Sequence, residues 1–150
     1  MEPFPHHYRV QAAGAATGTV TLSATDLPAI VTAAPAEFGG PGDLWSPETL
    51  LVAAAVNCFV LTFRAIAAAS KLPWEQLTCS GEGTLDRVDG VTRFTGLALH
   101  AQVALPAASD AEKAKRLLEK SERACLITNS LALQPTLTCD VEVRQSHRRQ

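Results

Sequence analysis

The residues in this 150-residue chain best suited to chemistry are its four cysteines, Cys58, Cys79, Cys125 and Cys139. They form no Cys-x-x-Cys pair, and no Cys/His spacing suits zinc, so no metal is expected. A cysteine can otherwise attack as a thiolate, climb the oxidation ladder or pair with a second thiol. Cys58 and Cys125 are the pair of interest; they lie 67 positions apart, so only the fold can bring them together. Cys125 stands at the start of a predicted helical segment, where free N–H groups favour a thiolate. Cys58 lies in mid-helix, receives no such help, and needs a neighbouring cation or a hydrogen bond. On the residues alone, inert packing is the ordinary role of a free cysteine and stays open for both. Cys79 and Cys139, beside Thr78 and Thr138 in predicted strands, read as buried structural thiols. The histidines His6, His7, His100 and His147 form no ligand pattern.

The element that must position Cys58 begins at Ser46. Ser46 is a good N-cap, Pro47 suits the first helical position, and Glu48 places a negative charge in the first turn. Leu50, Leu51, Val52, Val56, Phe59, Leu61, Phe63 and Ile66 then cover more than one face, the pattern of a buried helix. It is expected to run toward Leu72, since Pro73 disfavours helix just before it. From Pro47 to Lys71 that is roughly 37 Å. Asn57 and Arg64 interrupt the apolar run and argue against a transmembrane span. Glu48 is ten positions before Cys58, nearly three turns away, and could act on the thiol only through an intermediary such as an arginine.

Around this helix the chain reads as strands and shorter helices. Residues 6–22 read as two strands broken at residues 14–18, with Tyr8, Val10, Val20 and Leu22 facing inward; residues 27–34 read as a third. The Gly/Pro-rich residues 35–45 form a loop, expected to be a mobile rim. Strands over 76–87 and 91–105 flank an Asp89-Gly90 hairpin signal. A capping box from Ser109 to Glu112 opens a helix through about Arg123, with Ala114, Leu117 and Leu118 on its apolar side. A short segment follows over 125–131, and residues 136–143 alternate as a closing strand. The order βββ-α-ββ-α-α-β points to one α+β domain over residues 1–150, with antiparallel pairing. Apolar residues make up 47% of the chain and aromatics only 5%, so the core is built from small side chains. A net charge of −2 gives no reason to expect nucleic acid or an anionic membrane as partner, and the basic run over residues 144–150 reads as a solvated end. Residues 1–5 lack the basic and apolar regions of a signal peptide, and a cytoplasmic protein with reduced or redox-active thiols is expected.

The stretch Ser46-Pro-Glu-x-Leu-Leu-x-Ala-Ala-x-x-x-Cys58-Phe resembles the reactive-cysteine helix of the OsmC/Ohr proteins, the osmotically inducible and organic hydroperoxide resistance proteins. Ala124-Cys125-Leu-Ile-Thr-Asn129-Ser-Leu resembles their second motif, and the likeness in element order covers nearly the whole chain. The resemblance implies antiparallel sheets wrapped around a long central helix in an intertwined homodimer. It implies thiol peroxidase chemistry without metal or flavin. Cys58 would be the peroxidatic thiolate, Cys125 the resolving thiol, and a dithiol, a lipoyl group in several relatives, the reductant. An arginine from the N-terminal hairpin, oriented by the carboxylate matching Glu48, would hold the thiolate. This chain departs from that pattern in two places. Its hairpin turn, residues 14–18, has no basic residue, leaving Arg9, Arg64, Arg93 and Arg123 as alternatives, and Leu126 stands where proline usually follows the second cysteine.

The expected activity is reduction of organic or fatty-acid hydroperoxides, with Cys58, Cys125 and Glu48 catalytic. Apolar residues around Cys58, among them Phe38, Trp45 and Phe59, would bind an apolar peroxide. Two rivals are a dimer that binds a small hydrophobic ligand without turnover and a thiol redox sensor.

Overall fold

The computed structural model describes residues 1–144, so of the basic C-terminal run only Arg144 falls within it. The chain divides into two compact units, Met1–Leu50 and the remainder from Leu51 onward.

The N-terminal unit is built on an antiparallel sheet of β1 (Gln11–Gly14), β2 (Val20–Ser23) and β3 (Ile30–Thr32), paired in chain order. The turn between β1 and β2 needs Gly18, whose φ of 95° is unfavourable for residues with a Cβ. Tyr8 and Val10 precede β1 and are exposed, as is Val20, so they do not form the inward face expected of them. Alternation tells which residues share a face but not what covers that face. Residues 35–45 carry their own backbone hydrogen bonds. A 3-10 turn at Ala36–Phe38 closes with N–H bonds from Phe38 and Gly40 to the Pro35 carbonyl, each 3.0 Å. A side chain at Gly40 would collide with the Ala34 carbonyl. Ala33 N–H then bonds the Trp45 carbonyl at 3.0 Å, tying the end of the loop to β3.

Helix α1 (Pro47–Ala69) starts at the junction of the two units. Ser46 and Thr49 cap it reciprocally: Thr49 N–H donates to Ser46 Oγ at 3.1 Å, and Ser46 N–H to Thr49 Oγ1 at 2.9 Å. The helix ends sooner than Pro73 requires. Lys71 takes the left-handed conformation (φ 54°), while Leu72 N–H bonds Ala67 O and Lys71 N–H bonds Ala68 O, a Schellman stop made without glycine. Lys113 Nζ adds a 2.7 Å bond to the Ser70 carbonyl. By length and composition α1 could cross a membrane, but Ala55, Phe59, Phe63 and Ala67, one stripe at four-residue spacing, are wholly buried in the core of the C-terminal unit.

That core lies against a sheet of β4 (Gln76–Val88), β5 (Val91–Leu105) and β6 (Thr136–Val143), in the order β4-β5-β6. The alternating residues Leu97, Leu99, Ala101, Val103 and Leu105 of β5 face inward as expected. Asp89 (φ 51°) and Gly90 (φ 78°) make the tight hairpin between β4 and β5. β4 and β5 are antiparallel, but β6 runs parallel to β5, which corrects the expectation of purely antiparallel pairing. The intervening helices carry the chain back across the sheet, so β6 enters in the same direction as β5. Helix α2 (Ala111–Ala124) buries Ala114, Leu117 and Leu118. The capping box expected from Ser109 to Glu112 does not form. A 3-10 turn at Ala108–Asp110 leads into α2 instead, and no side chain caps it.

Candidate active site

The fold brings Cys58 and Cys125 together. Cys58 lies on α1, half-buried, with its sulfur 3.8 Å from the Thr62 hydroxyl one turn on. Cys125 is wholly buried at a sharp bend (φ −65°, ψ 110°) between α2 and the single-turn helix α3 (Leu126–Asn129). The bend is held by Asn129 N–H on the Cys125 carbonyl at 3.0 Å and by the Thr128 hydroxyl on the same oxygen at 3.2 Å. Leu126 and Ile127 occupy the first turn of α3, where backbone N–H groups have no acceptor within the helix. Both lie close enough to the Cys58 sulfur to lower its pKa.

The two thiols are thereby driven apart in acidity. Burial pushes the Cys58 thiol up, but bonds from Ile127 N–H, the Cys125 thiol, the Thr62 hydroxyl and Leu126 N–H outweigh it, leaving Cys58 below its ordinary value. Burial also raises Cys125. Bonds from Thr128 pull it back, the neighbouring Cys58 raises it again, and the net is upward. Cys58 is thus disposed to be the thiolate and Cys125 the S–H donor beside it. A mid-helix thiolate needs a cation or hydrogen bonds, and among the described residues the four groups that lower the Cys58 pKa are all uncharged. Of the arginines considered, Arg64, Arg93 and Arg123 in the C-terminal unit are all exposed.

Cys79 and Cys139 sit directly opposite Ala101 from either side, in register across β4, β5 and β6. Two inter-strand spacings, about 9.5 Å, separate their backbones, beyond the reach of a disulfide. Burial, with the nearby sulfurs of Cys125 and Cys139, pushes Cys79 up to about 11. Burial and the charges of Glu119 and Asp140 raise Cys139, against Lys115. Both pack against the core, as structural thiols should. His100 bonds Thr138 Oγ1 (2.7 Å) and Asp140 Oδ2 (3.1 Å) on the outer face of the sheet. No cluster of three or more metal-binding side chains occurs among the described residues.

The remaining sequence-derived site residues separate. Phe38 and Glu48 line one largely apolar cavity of about 520 Å³ in the N-terminal unit, together with Ala12, Leu22 and Leu50. One carboxylate oxygen of Glu48 is buried there without a hydrogen bond among the described residues. Trp45 is exposed and lies outside that lining. Phe59 is wholly buried in the C-terminal core, so its ring packs the interior. Thr62, Ile127 and Thr128 were not singled out from the sequence, and Leu126 only as a departure from the family pattern. Thr62 alone carried a local signal, its i+4 spacing from Cys58.

Residues 40–140 match the family of OsmC-like proteins, a span that includes both thiols and Glu48. The chain belongs to the OsmC-like family. This OsmC-like chain is 27% identical over 113 residues to the uncharacterized protein YmaD of Bacillus subtilis, covering 73% of the chain and 75% of that relative. Its fold is similar to that of an OsmC-like protein of unknown function from Vibrio cholerae, with a TM-score of 0.82, 19% identity, and coverage of 90% and 99% of the two chains. It is also similar to an organic hydroperoxide resistance protein OsmC from Legionella pneumophila, with a TM-score of 0.72, 27% identity, and coverage of 94% and 100%. The OsmC-like α+β fold read from the sequence therefore holds.

Proposed function

We propose that this OsmC-like protein is a thiol peroxidase that reduces organic hydroperoxides, including those of fatty acids. The observation that carries the reading is the contact between a thiol disposed to ionise, Cys58, and one disposed to stay protonated, Cys125. The Cys58 thiolate attacks the distal oxygen of ROOH; the O–O bond breaks, and ROH leaves after taking a proton. Cys58 becomes a sulfenic acid. The Cys125 sulfur then attacks Cys58, releasing water and forming a disulfide. A dithiol reduces that bond by exchange, supplying the two electrons and becoming a disulfide itself. A lipoyl group is the proposed dithiol and the cytoplasm the proposed compartment, since the cycle needs thiols that are returned to the reduced state. No nucleic acid or membrane takes part.

A homodimer is the proposed working form. Exposed apolar side chains in both units, including Tyr8, Leu27, Trp45 and Leu61, support it, because a second copy would cover such surface. The test is peroxide consumption with a dithiol supplied. Cys58→Ser should abolish it, and Cys125→Ser should leave one turnover and then stall. Unchanged turnover in Cys58→Ser would end the proposal. A second reading, binding of a small hydrophobic ligand without turnover, is favoured by the apolar cavity beside Phe38 and Glu48. Binding that survives both cysteine changes, without peroxide consumption, would support it.

A further inference from the structure

Glu48 has one carboxylate oxygen that the N-terminal unit leaves without a partner. Its Oε2 is shut off from solvent and accepts no hydrogen bond among the described residues. The helix start does not need it, because Ser46 and Thr49 cap α1 between themselves. Glu48 lines the cavity of about 520 Å³ in that unit, a volume within the range of roughly 300–1,000 Å³ usual for small-molecule sites. Leu22, Phe38 and Leu50 give the cavity apolar walls. Thr32 is the other polar side chain of the lining, and its hydroxyl already donates to the Val20 carbonyl at 3.0 Å. Little positive charge lies nearby in the sequence. Arg9 is the one lysine or arginine in residues 1–50, against Glu2, Asp26, Glu37, Asp43 and Glu48. It is exposed and lies outside the lining. A buried carboxylate oxygen is costly unless a donor reaches it.

We propose that this cavity binds an apolar amine, a small organic cation whose ammonium donates to Glu48 Oε2 while its hydrocarbon body lies against Leu22, Phe38 and Leu50. The acidic balance of the unit selects a cation over an anion. A single buried oxygen suits the point charge of an ammonium, whereas a guanidinium is best matched by both oxygens of a carboxylate. A metal ion needs further ligands, and no cluster of three or more metal-binding side chains occurs among the described residues. The apolar walls in turn favour a hydrocarbon body. The inference rests on the second reading, a cavity that binds a small hydrophobic ligand, and gives that ligand its charge. It does not depend on peroxide turnover.

Calorimetric titrations of the reduced full-length chain, at neutral pH and low salt, compare octylammonium, octanol and octanoate in wild type and in Glu48→Gln. Wild type should bind octylammonium at least about tenfold more tightly than octanol, with octanoate the weakest. Glu48→Gln keeps the shape of the side chain and removes its charge. It should erase the preference for ammonium and leave octanol binding in place. Equal affinity of wild type for octylammonium and octanol would overturn the inference while sparing the reading it rests on. A preference for ammonium that persists in Glu48→Gln would overturn it too, since the charge being recognised would lie elsewhere. Binding of none of the three, as when a second copy of the chain covers the cavity, would overturn both. Should Glu48→Gln fail to fold, the wild-type ranking of the three probes still decides. No peroxide is present, so a chain that consumed none would defeat the peroxidase reading and leave this result intact.

Discussion

Cys58 and Cys125 act on each other, and the interaction lowers the pKa of Cys58 while raising that of Cys125. The contact can be cut without touching Cys58. Cys125→Ala removes the neighbouring thiol and should raise the Cys58 pKa. Cys125→Ser keeps an O–H in the same place and should raise it less. Thiolate absorbance against pH in the two variants checks the order. A Cys125→Ala value equal to that of wild type would mean that the Cys125 thiol contributes nothing to the ionisation of Cys58.

Alkaline stability should carry the imprint of Cys79. Its folded pKa, about 11, lies above the unfolded value of 9.0, so the folded chain holds this proton more tightly. The contribution is fully present below pH 9.0 and is lost as the pH rises toward about 11, because over that window the unfolded state binds fewer protons. The raised Cys139 acts in the same sense. Thermal melts of the reduced protein should therefore fall in Tm as the pH rises through this window. The fall should be shallower in Cys79→Ala, whatever that variant costs at neutral pH. A wild-type slope no steeper than that of the variant would remove Cys79 from the account.

The two phenylalanines read from the sequence as substrate-binding should part company. Phe59 is wholly buried beside Ala55 and Phe63, so Phe59→Ala should cost about 3–5 kcal/mol in a urea melt. Phe38 is 59% exposed on the rim of the N-terminal cavity, and Phe38→Ala should change stability by about 0.5 kcal/mol or less. If the cavity takes the apolar part of a hydroperoxide, the same change should raise KM for cumene hydroperoxide with kcat little altered. A loss in kcat alone would place Phe38 outside substrate binding.

Where the chain's own pattern is local, the sequence was legible. The alternation from Leu97 to Leu105 defined β5 and its buried face, and Thr136–Val143 was bounded correctly as the last strand. The start of α1 was equally plain from Ser46 and Pro47, although Thr49, not Glu48, completes the cap. What depended on distant parts of the chain was not legible. Strand direction is not a local property, so the parallel pairing of β6 was missed. Ser109 and Glu112 have the spacing of a capping box, but the 3-10 turn before Ala111 leaves Ser109 outside the cap position. For the site, the two cysteines could be paired by resemblance alone. Leu126 could be seen only as a departure, because the bend at Cys125 that places it is set by packing elsewhere in the chain.

Gly81 tests how closely α1 must approach β4. A Cβ there would lie 2.7 Å from Val56 Cγ1 and 3.2 Å from Val52 Cγ1, both on the α1 turns just before Cys58. The obstacle is steric, a branched side chain of α1 where the methyl must go. Gly81→Ala should therefore destabilise by about 1–3 kcal/mol through overpacking. Val56→Ala removes the nearer obstacle and costs stability by itself through lost burial. Combined, the two changes should cost less than the sum of the separate losses, because the new methyl enters the space the valine vacates. Urea melts of the four proteins in this cycle measure the difference. Simple additivity would mean that the helix shifts away from the strand to admit the methyl. In that case the Cys58 titration should move as well, since Cys58 rides on the same stretch of α1 while groups that lower its pKa sit on α3.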